Sequence, residues 1–365
     1  MNVALVTQSF GAGGAEKMMA FVINTLVPVS DRISIILTEN VIDYIFPDNV
    51  TFKVLKPYDR SNGPLDKVNE LRYIAKEANK IIIEESIDLL IGFGAYFATV
   101  CVLAAKGTHC KVIGSERRAP SMMTKTWQLI SKWSYKKCDM LVFQLKGARD
   151  YYSNLKTEQT RIIPNPYISK WDDLPNIDAR RKVVCMAAAR LEYEKGFDIG
   201  IKAMSKVVKK HNDYKMEIYG AGDFESLYGD LIRNLQMQEF VDYKGISKTI
   251  IEDIYDVSVF ALPSRSEGIP NMLLEAMAAG IPSIAADCPP GGPKMLIENE
   301  QNGLIVPTEN CDLLADAICS IIENDYLSVK LSRNSRKIKD RFDPFVIGKE
   351  WLDCVQTVLV SNNDL

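Results

Sequence analysis

The stretch SRSEGIPNMLLEAMAAGIP, residues 264–282, decides how this sequence is read. The segment before it, VSVFALP, reads as a buried strand. A Ser/Gly/Pro turn follows, then NMLLEAMAAG with helical character, closed by Gly280 with Pro282 beyond it. Glu267 is therefore expected at the carboxyl end of a strand, and Glu275 about one turn into the helix that follows. In an open α/β sheet, ligands bind at those strand ends. The plainer reading makes Glu275 a solvated helix residue and Glu267 a loop charge.

Outward from this stretch, strand-like and helix-like segments alternate along almost the whole chain. NVALVTQ, RISIILT, DLLIGF, CKVIGS and DMLVFQ read as strands in the first half. VVCMAAARL, KMEIYGAG, VDYKG, IPSIAAD and GLIVP join VSVFALP in the second. Helices are expected in AEKMMAFVINTL, in LRYIAKEANKIIIEES, over 121–137, and in the tail after Pro344. Such alternation implies parallel sheets with crossover helices. At 365 residues, two domains are expected. The Pro- and Asp-rich piece 164–178 is the best linker. The expected division is 1–166 with the helix 344–365 folding back on it, and 167–343. The fold class is α/β, with two doubly wound domains facing across a cleft.

The chain is 47% apolar and 25% charged, with a formal net charge of −3, which gives no reason to expect nucleic acid. Its eight cysteines form no C-x-x-C pair, and several sit in apolar runs. They read as reduced thiols of a cytosolic protein, not as a disulfide frame or zinc site. The first strand lacks the basic start and long apolar run of a signal peptide, and no window approaches a membrane span.

Further motifs lie at other strand ends. The first strand runs into FGAGGAEKM, where Gly11, Gly13 and Gly14 let the backbone approach a ligand. The helix beginning near Ala15 turns its N–H groups toward that point, which suits an anion. The pattern is not G-x-G-x-x-G, and a tight turn explains it nearly as well. The second half opens with AARLEYEKGFD, in which Arg190 and Lys195 make a plausible diphosphate clamp. YGAGDFE adds Gly220, Gly222 and Asp223 at the next strand end.

These residues carry a resemblance. R190-L-x-x-x-K195-G, G220-A-G-D223, E267-G-I-P-N-M-L-L-E275 and D287-C-P-P-G-G-P leading to N302-G-L-I-V-P resemble, in order and spacing, retaining glycosyltransferases of family 4 with the GT-B fold. The resemblance covers nearly the whole chain, and bacterial enzymes that assemble lipid-linked capsule, O-antigen or glycan units are nearest in character. It implies that Glu275 holds the ribose of a donor nucleotide, and that Glu267 holds hydroxyls of the transferred sugar. Backbone N–H groups of the turn made by Gly268, Ile269, Pro270 and Asn271 are implied to help hold sugar or phosphate. Arg190 and Lys195 neutralise the leaving diphosphate, as fixed cations do for developing charge. The donor is implied to be a UDP-sugar and the acceptor a polyprenyl-diphosphate-linked saccharide. No D-x-D pair is present, and His109 and His211 sit in no motif, so metal-independent chemistry with no cofactor is expected.

The first domain is expected to hold the acceptor. Residues 106–137 contain eight Lys/Arg and one Glu, and Trp127, Ile130 and Trp133 recur at helical spacing beside Lys125, Lys132, Lys136 and Lys137. A basic helix of this kind suits an anionic membrane surface, placing the enzyme peripherally on the inner face of the plasma membrane. The plainer reading packs the Trp face on the sheet. Where many relatives have Ser-Glu-His, this chain has Ser115-Glu116-Arg117 and then Arg118, two arginines that could grip an acceptor pyrophosphate. Glu16 and Asn165 are further acceptor candidates. The alternatives are an epimerase or hydrolase on the same scaffold, a nicotinamide-dependent oxidoreductase, and a non-catalytic nucleotide-sugar-binding protein. The first needs an acid/base pair that is not visible, the second needs G-x-G-x-x-G, and the third leaves Arg190, Lys195, Glu267 and Glu275 without purpose.

Overall fold

The computed structural model describes residues 1–11, 14–59, 66–117, 119–168 and 180–360. The chain divides into two compact units, Met1–Pro164 with Phe345–Leu365, and Asn165–Pro344. The first unit is built on strands β1 (Asn2–Thr7), β2 (Arg32–Leu37), β3 (Val50–Val54), β4 (Leu89–Phe93), β5 (Lys111–Glu116), β6 (Met140–Phe143) and β7 (Thr160–Ile162). Their spatial order is β3-β2-β1-β4-β5-β6-β7, with every pairing parallel. Its helices are α1 (Gly14–Leu26), α2 (Asp66–Glu84), α3 (Gly94–Ala104), α4 (Lys125–Tyr135) and α5 (Lys146–Tyr151). The C-terminal helix Pro344–Val360 buries Ile347, Trp351, Cys354, Val355 and Val358, one stripe at helical spacing.

The second unit repeats the plan. Strands β8 (Arg181–Arg190), β9 (Lys215–Ala221), β10 (Val241–Gly245), β11 (Val257–Leu262), β12 (Ser283–Ala286) and β13 (Leu304–Val306) stand in the order β10-β9-β8-β11-β12-β13, again all parallel. Its helices are α6 (Phe197–Lys210), α7 (Phe224–Asn234), α8 (Ile250–Ile254), α9 (Asn271–Ala278), α10 (Gly292–Leu296), α11 (Cys311–Ile322), α12 (Asp325–Ser335) and α13 (Ile338–Arg341). Both units are thus doubly wound and Rossmann-like, as the alternation of the sequence implies.

Strands covered by helices on both faces should be apolar throughout, because neither face meets water. β4 and β11 are buried at every residue. α6 shows the complementary pattern: Phe197, Ile201, Met204, Val207 and Val208 enter the core of the second unit, while its lysines lie on the other side. Winding reverses between β1 and β4 in one unit, and between β8 and β11 in the other. At such a reversal the loops leaving the two strands turn to opposite faces and leave a crevice at their carboxyl ends.

The structure adds β3, α3, α5 and β7 to the elements expected from sequence. It also corrects the helix expected over 121–137. Pro120–Met122 form a 3-10 turn, and the helix proper begins at Lys125, where the Thr124 hydroxyl accepts a hydrogen bond from the Trp127 N–H at 3.4 Å. Of the stretch read as a linker, residues 169–178 lie outside the described residues.

Candidate active site of the second unit

Two loops meet at the switch point of the second sheet. The loop leaving β8 makes a 3-10 turn at Tyr193–Lys195 and passes through Gly196 into α6. Gly196 has φ of 68°, and a Cβ there would stand 2.1 Å from the Pro263 carbonyl oxygen, at the end of β11. A side chain would pay both the left-handed backbone penalty and a backbone clash. Glycine at 196 is what lets the Lys195 turn lie against the loop that leaves β11.

That contact brings Lys195 and Glu267 together. The Lys195 Nζ is 2.9 Å from Glu267 Oε1, and the Ser264 hydroxyl donates to the same oxygen at 2.9 Å. Glu267 keeps only 10% of its side-chain exposure and Lys195 25%, so the pair is largely shielded from solvent, where a charge interaction is screened least. The Glu267 N–H and the Ser266 hydroxyl both donate to the Pro289 carbonyl, at 3.1 and 3.2 Å. Gly268 lies under the turn of Gly291 and Gly292, where a Cβ on Gly292 would fall 1.5 Å from the Gly268 oxygen. The Ile269 side chain is buried, as is Pro270, so this stretch can offer a ligand backbone but not the Ile269 side chain.

Pro270 precedes α9, whose inner face is Leu273, Leu274, Ala276 and Met277. Glu275 stands between these positions and is partly exposed, one helical turn beyond Asn271. Asn165, an acceptor candidate from sequence, is buried in this unit, and its Nδ2 donates to Asn271 Oδ1 at 2.8 Å.

Arg265 ties the two loops together. Its guanidinium forms a bidentate pair with Asp198 at 2.8 and 2.9 Å, donates to the Tyr193 carbonyl at 2.6 Å, and also reaches Glu309. It lies 3.8 Å over the Tyr193 ring, and its own N–H donates to the Glu194 carbonyl at 2.7 Å. Tyr193 and Glu194, the two residues before Lys195, are thus both held by a single residue of the Glu267 loop. Burial raises the Asp198 pKa, but hydrogen bonds and charge from Arg265 more than offset it and leave the carboxyl below its usual range.

The expected clamp of Arg190 with Lys195 is differently arranged. Arg190 is mostly exposed, and its Nε pairs with Glu192 at 3.0 Å, while Lys195 pairs with Glu267. The carbonyls of Gly220 and Gly222 accept from the Tyr243 hydroxyl at 2.7 and 3.3 Å, and both glycines pack on Leu191. Asp223 caps α7 by accepting from the Ser226 N–H at 3.1 Å. These contacts give the Gly-Ala-Gly-Asp loop a structural purpose in the unit's own fold.

Residues 169–338, nearly the whole of this unit, match the family Glycosyl transferases group 1. The second unit is a group 1 glycosyltransferase domain. Along 96% of the chain, the sequence is 24% identical to the N-acetylgalactosamine-N,N'-diacetylbacillosaminyl-diphospho-undecaprenol 4-alpha-N-acetylgalactosaminyltransferase of Campylobacter jejuni, covering 98% of that protein. Several further relatives match over half of their own length or less. Among solved structures, sucrose-phosphate synthase from Thermosynechococcus elongatus superposes with a TM-score of 0.84 over 99% of this chain and 100% of that one, at 16% identity. Anabaena HepE in complex with UDP superposes with a TM-score of 0.77 over 98% of this chain and 100% of that one, at 18% identity. The likeness shows the fold, two Rossmann-like domains of the GT-B class.

In the group 1 domain, sequence reasoning passed over Ser264, Arg265 and Asp198. Arg265 sits inside the quoted motif, but its carboxylate partners lie 67 and 44 residues away, so only the folded chain shows them.

The other unit holds its candidates differently. Gly14 opens α1 and Glu16 lies in its first turn, near enough to Tyr44 to add to the burial that raises the tyrosine pKa. Gly13 and Arg118 lie outside the described residues. Arg117 is not an open surface cation: its guanidinium stands 5.1 Å from the Phe93 ring centre and 5.7 Å from that of Trp351. Burial lowers its pKa to about 9, against the opposing charge of Glu116. To grip a pyrophosphate it would have to leave these rings. On α4 the inward residues are Ser131, Ser134 and Tyr135, with Ser134 bonded to Thr99 of α3 at 3.0 Å. Leu129 is 69% exposed and Trp133 45%. The reading that packs the tryptophan face on the sheet fails at Trp133, because small serines occupy the contact side instead. Among the described residues, no helix is long and apolar enough to cross a membrane.

Proposed function

We propose that the protein is a retaining, metal-independent glycosyltransferase that moves a hexose or N-acetylhexosamine from a UDP-sugar to a polyprenyl-diphosphate-linked saccharide. The observation that carries this reading is the shielded Lys195–Glu267 pair at the β8/β11 switch point of a group 1 domain, with Glu275 on the helix that follows. Glu275 holds the ribose, and Glu267, oriented by Ser264 and Lys195, holds sugar hydroxyls. An ammonium has three donors, so binding Glu267 does not exhaust Lys195. As the anomeric carbon–oxygen bond breaks, charge builds on the departing diphosphate, and a fixed cation stabilises it. The acceptor oxygen bonds to the anomeric carbon on the face the diphosphate leaves, and its proton passes to the diphosphate. No protein base is then required.

The UDP assignment is supported by the HepE complex, and the lipid-linked acceptor by the Campylobacter relative. α4 fits the same picture. Its exposed Leu129 and Trp133 stand among Lys125, Lys132, Lys136 and Lys137, with Lys137 5.5 Å over the Trp133 ring. Apolar side chains ringed by lysine suit the interface of an anionic membrane and support a peripheral position on its cytoplasmic face.

The test is to incubate the full chain with UDP- and GDP-sugars and a polyprenyl-diphosphate disaccharide in vesicles, after removing metal with a chelator. One UDP-sugar should be consumed, and proton NMR of the product should show the donor's anomeric configuration. An inverted product, free sugar without transfer, or activity that returns only with added metal contradicts the proposal.

A further inference from the structure

At the far end of the group 1 domain stands a second cluster of chemically capable groups. His211 follows α6 as its C-terminal cap, and Glu323 does the same for α11. Cys319 lies four residues before Glu323, so the two share one helix face. The His211 Nε2 is 2.7 Å from Glu323 Oε1, and the ligand atoms of His211, Cys319 and Glu323 all lie within 4.8 Å of one another. Parallel strands linked by crossover helices turn all the helices the same way. The C-termini of α6 and α11 therefore converge, and their backbone carbonyls add partial negative charge that favours a cation there. α6 is 14 residues long and begins beside Lys195, so its far end lies about 20 Å from the sugar-transfer candidates.

We infer that His211, Cys319 and Glu323 bind a zinc ion. Imidazole nitrogen, thiolate sulfur and carboxylate oxygen are its ordinary donors, and three protein ligands leave a fourth position for water. A thiolate and a carboxylate together neutralise the two positive charges. A tetrahedral ion with zinc's bond lengths holds its ligand atoms roughly 3.5 Å apart, which small side-chain rotations reach from the present spacing. Cys319 is buried and Glu323 half exposed, so the ion is anchored in the core and open to solvent on one side. On binding, the thiol loses its proton to solvent, so uptake releases a proton and strengthens as pH rises. The ion bridges the ends of two helices whose contacting histidine and glutamate are 112 residues apart in sequence.

The test is titration of the chelator-treated full chain with Co²⁺ and then Zn²⁺. Cobalt should produce a thiolate charge-transfer band that Cys319→Ser abolishes and that one equivalent of zinc displaces. His211→Ala and Glu323→Gln, at more exposed positions that leave the core intact, should each weaken uptake by about tenfold or more. Zinc should raise the melting midpoint of the wild type and not of Glu323→Gln. Absence of the band in the wild type, or a band that survives His211→Ala and Glu323→Gln unchanged, overturns the inference and leaves a histidine–glutamate ion pair beside a core thiol.

Discussion

The two units share one strand order, yet they treat the charges beyond their strands in opposite ways. In the second unit, Lys195 pairs with Glu267 and Asp198 with Arg265, two contacts between the segment after β8 and the loop after β11. In the first, Arg117 lies beside the stacked rings of Phe93 and Trp351, and the lysines of α4 flank apolar side chains that face outward. A site that stabilises charge on a leaving group needs fixed, mutually oriented groups. A surface that meets a membrane needs apolar contact with loosely held cations around it. On the proposed reading, the same architecture supports a fixed charged site in one unit and a membrane-facing surface in the other.

The comparison breaks most sharply at Lys195. Lys195→Ala removes the cation and leaves Glu267 shielded without its partner, and turnover should fall by about 10²- to 10³-fold in initial-rate assays, as other lost oxyanion donors do. A loss under threefold would remove Lys195 from the chemistry. Arg265 sharpens the same point one step further out. It touches the loops rather than the reacting atoms, so Arg265→Ala should lower kcat by roughly 10- to 10²-fold through misplacement, with a smaller change in KM. Arg265→Lys should restore little, because a lysine cannot make the bidentate contact with Asp198. Full rescue by lysine would mean that only charge matters there.

On the first unit, the paired substitution Leu129→Ser with Trp133→Ser should weaken partition onto anionic vesicles by about tenfold, from lost apolar burial of a few kcal/mol at most. UDP binding should stay unchanged. Equal binding of the wild type to neutral and anionic vesicles would remove the role of the lysines. The smallest effect is pH dependence. The folded pKa of Asp198 lies below its unfolded value, so its stabilising contribution is present above the usual carboxylate range and lost as pH falls through the folded value. Acid unfolding followed by circular dichroism should be shallower in Asp198→Asn than in the wild type. Identical acid profiles would show that the Arg265 pair is not linked to folding.

The fold was legible because apolar runs such as VSVFALP and DLLIGF are long, uninterrupted and bounded by turn residues, as doubly covered strands must be. β3 escaped because it is an edge strand with only Val50 fully buried, and α3 because its apolar residues lie on all sides and show no period. The positions of Glu267 and Glu275 at a strand end and on the next helix could be read locally. The Lys195–Glu267 pairing could not, since it depends on Gly196 lying against Pro263 across 67 residues of chain. The facing of Trp133 was illegible for a related reason: Trp127, Ile130 and Trp133 look like a buried stripe until Ser131 and Ser134 are seen on the contact side.

The central claim is that the β8/β11 switch point binds a uridine nucleotide sugar through Glu275. The most direct test is a thermal-shift series with UDP, GDP, ADP, several UDP-sugars and NAD, on the wild type and on Glu275→Ala. A ligand bound only by the folded chain raises the midpoint in step with ln(1 + [L]/Kd). The account predicts a rise with UDP and one UDP-sugar that Glu275→Ala abolishes, while the midpoint of the unliganded variant stays near that of the wild type. A rise with NAD alone, no rise with any nucleotide, or an undiminished UDP response in the variant would contradict it.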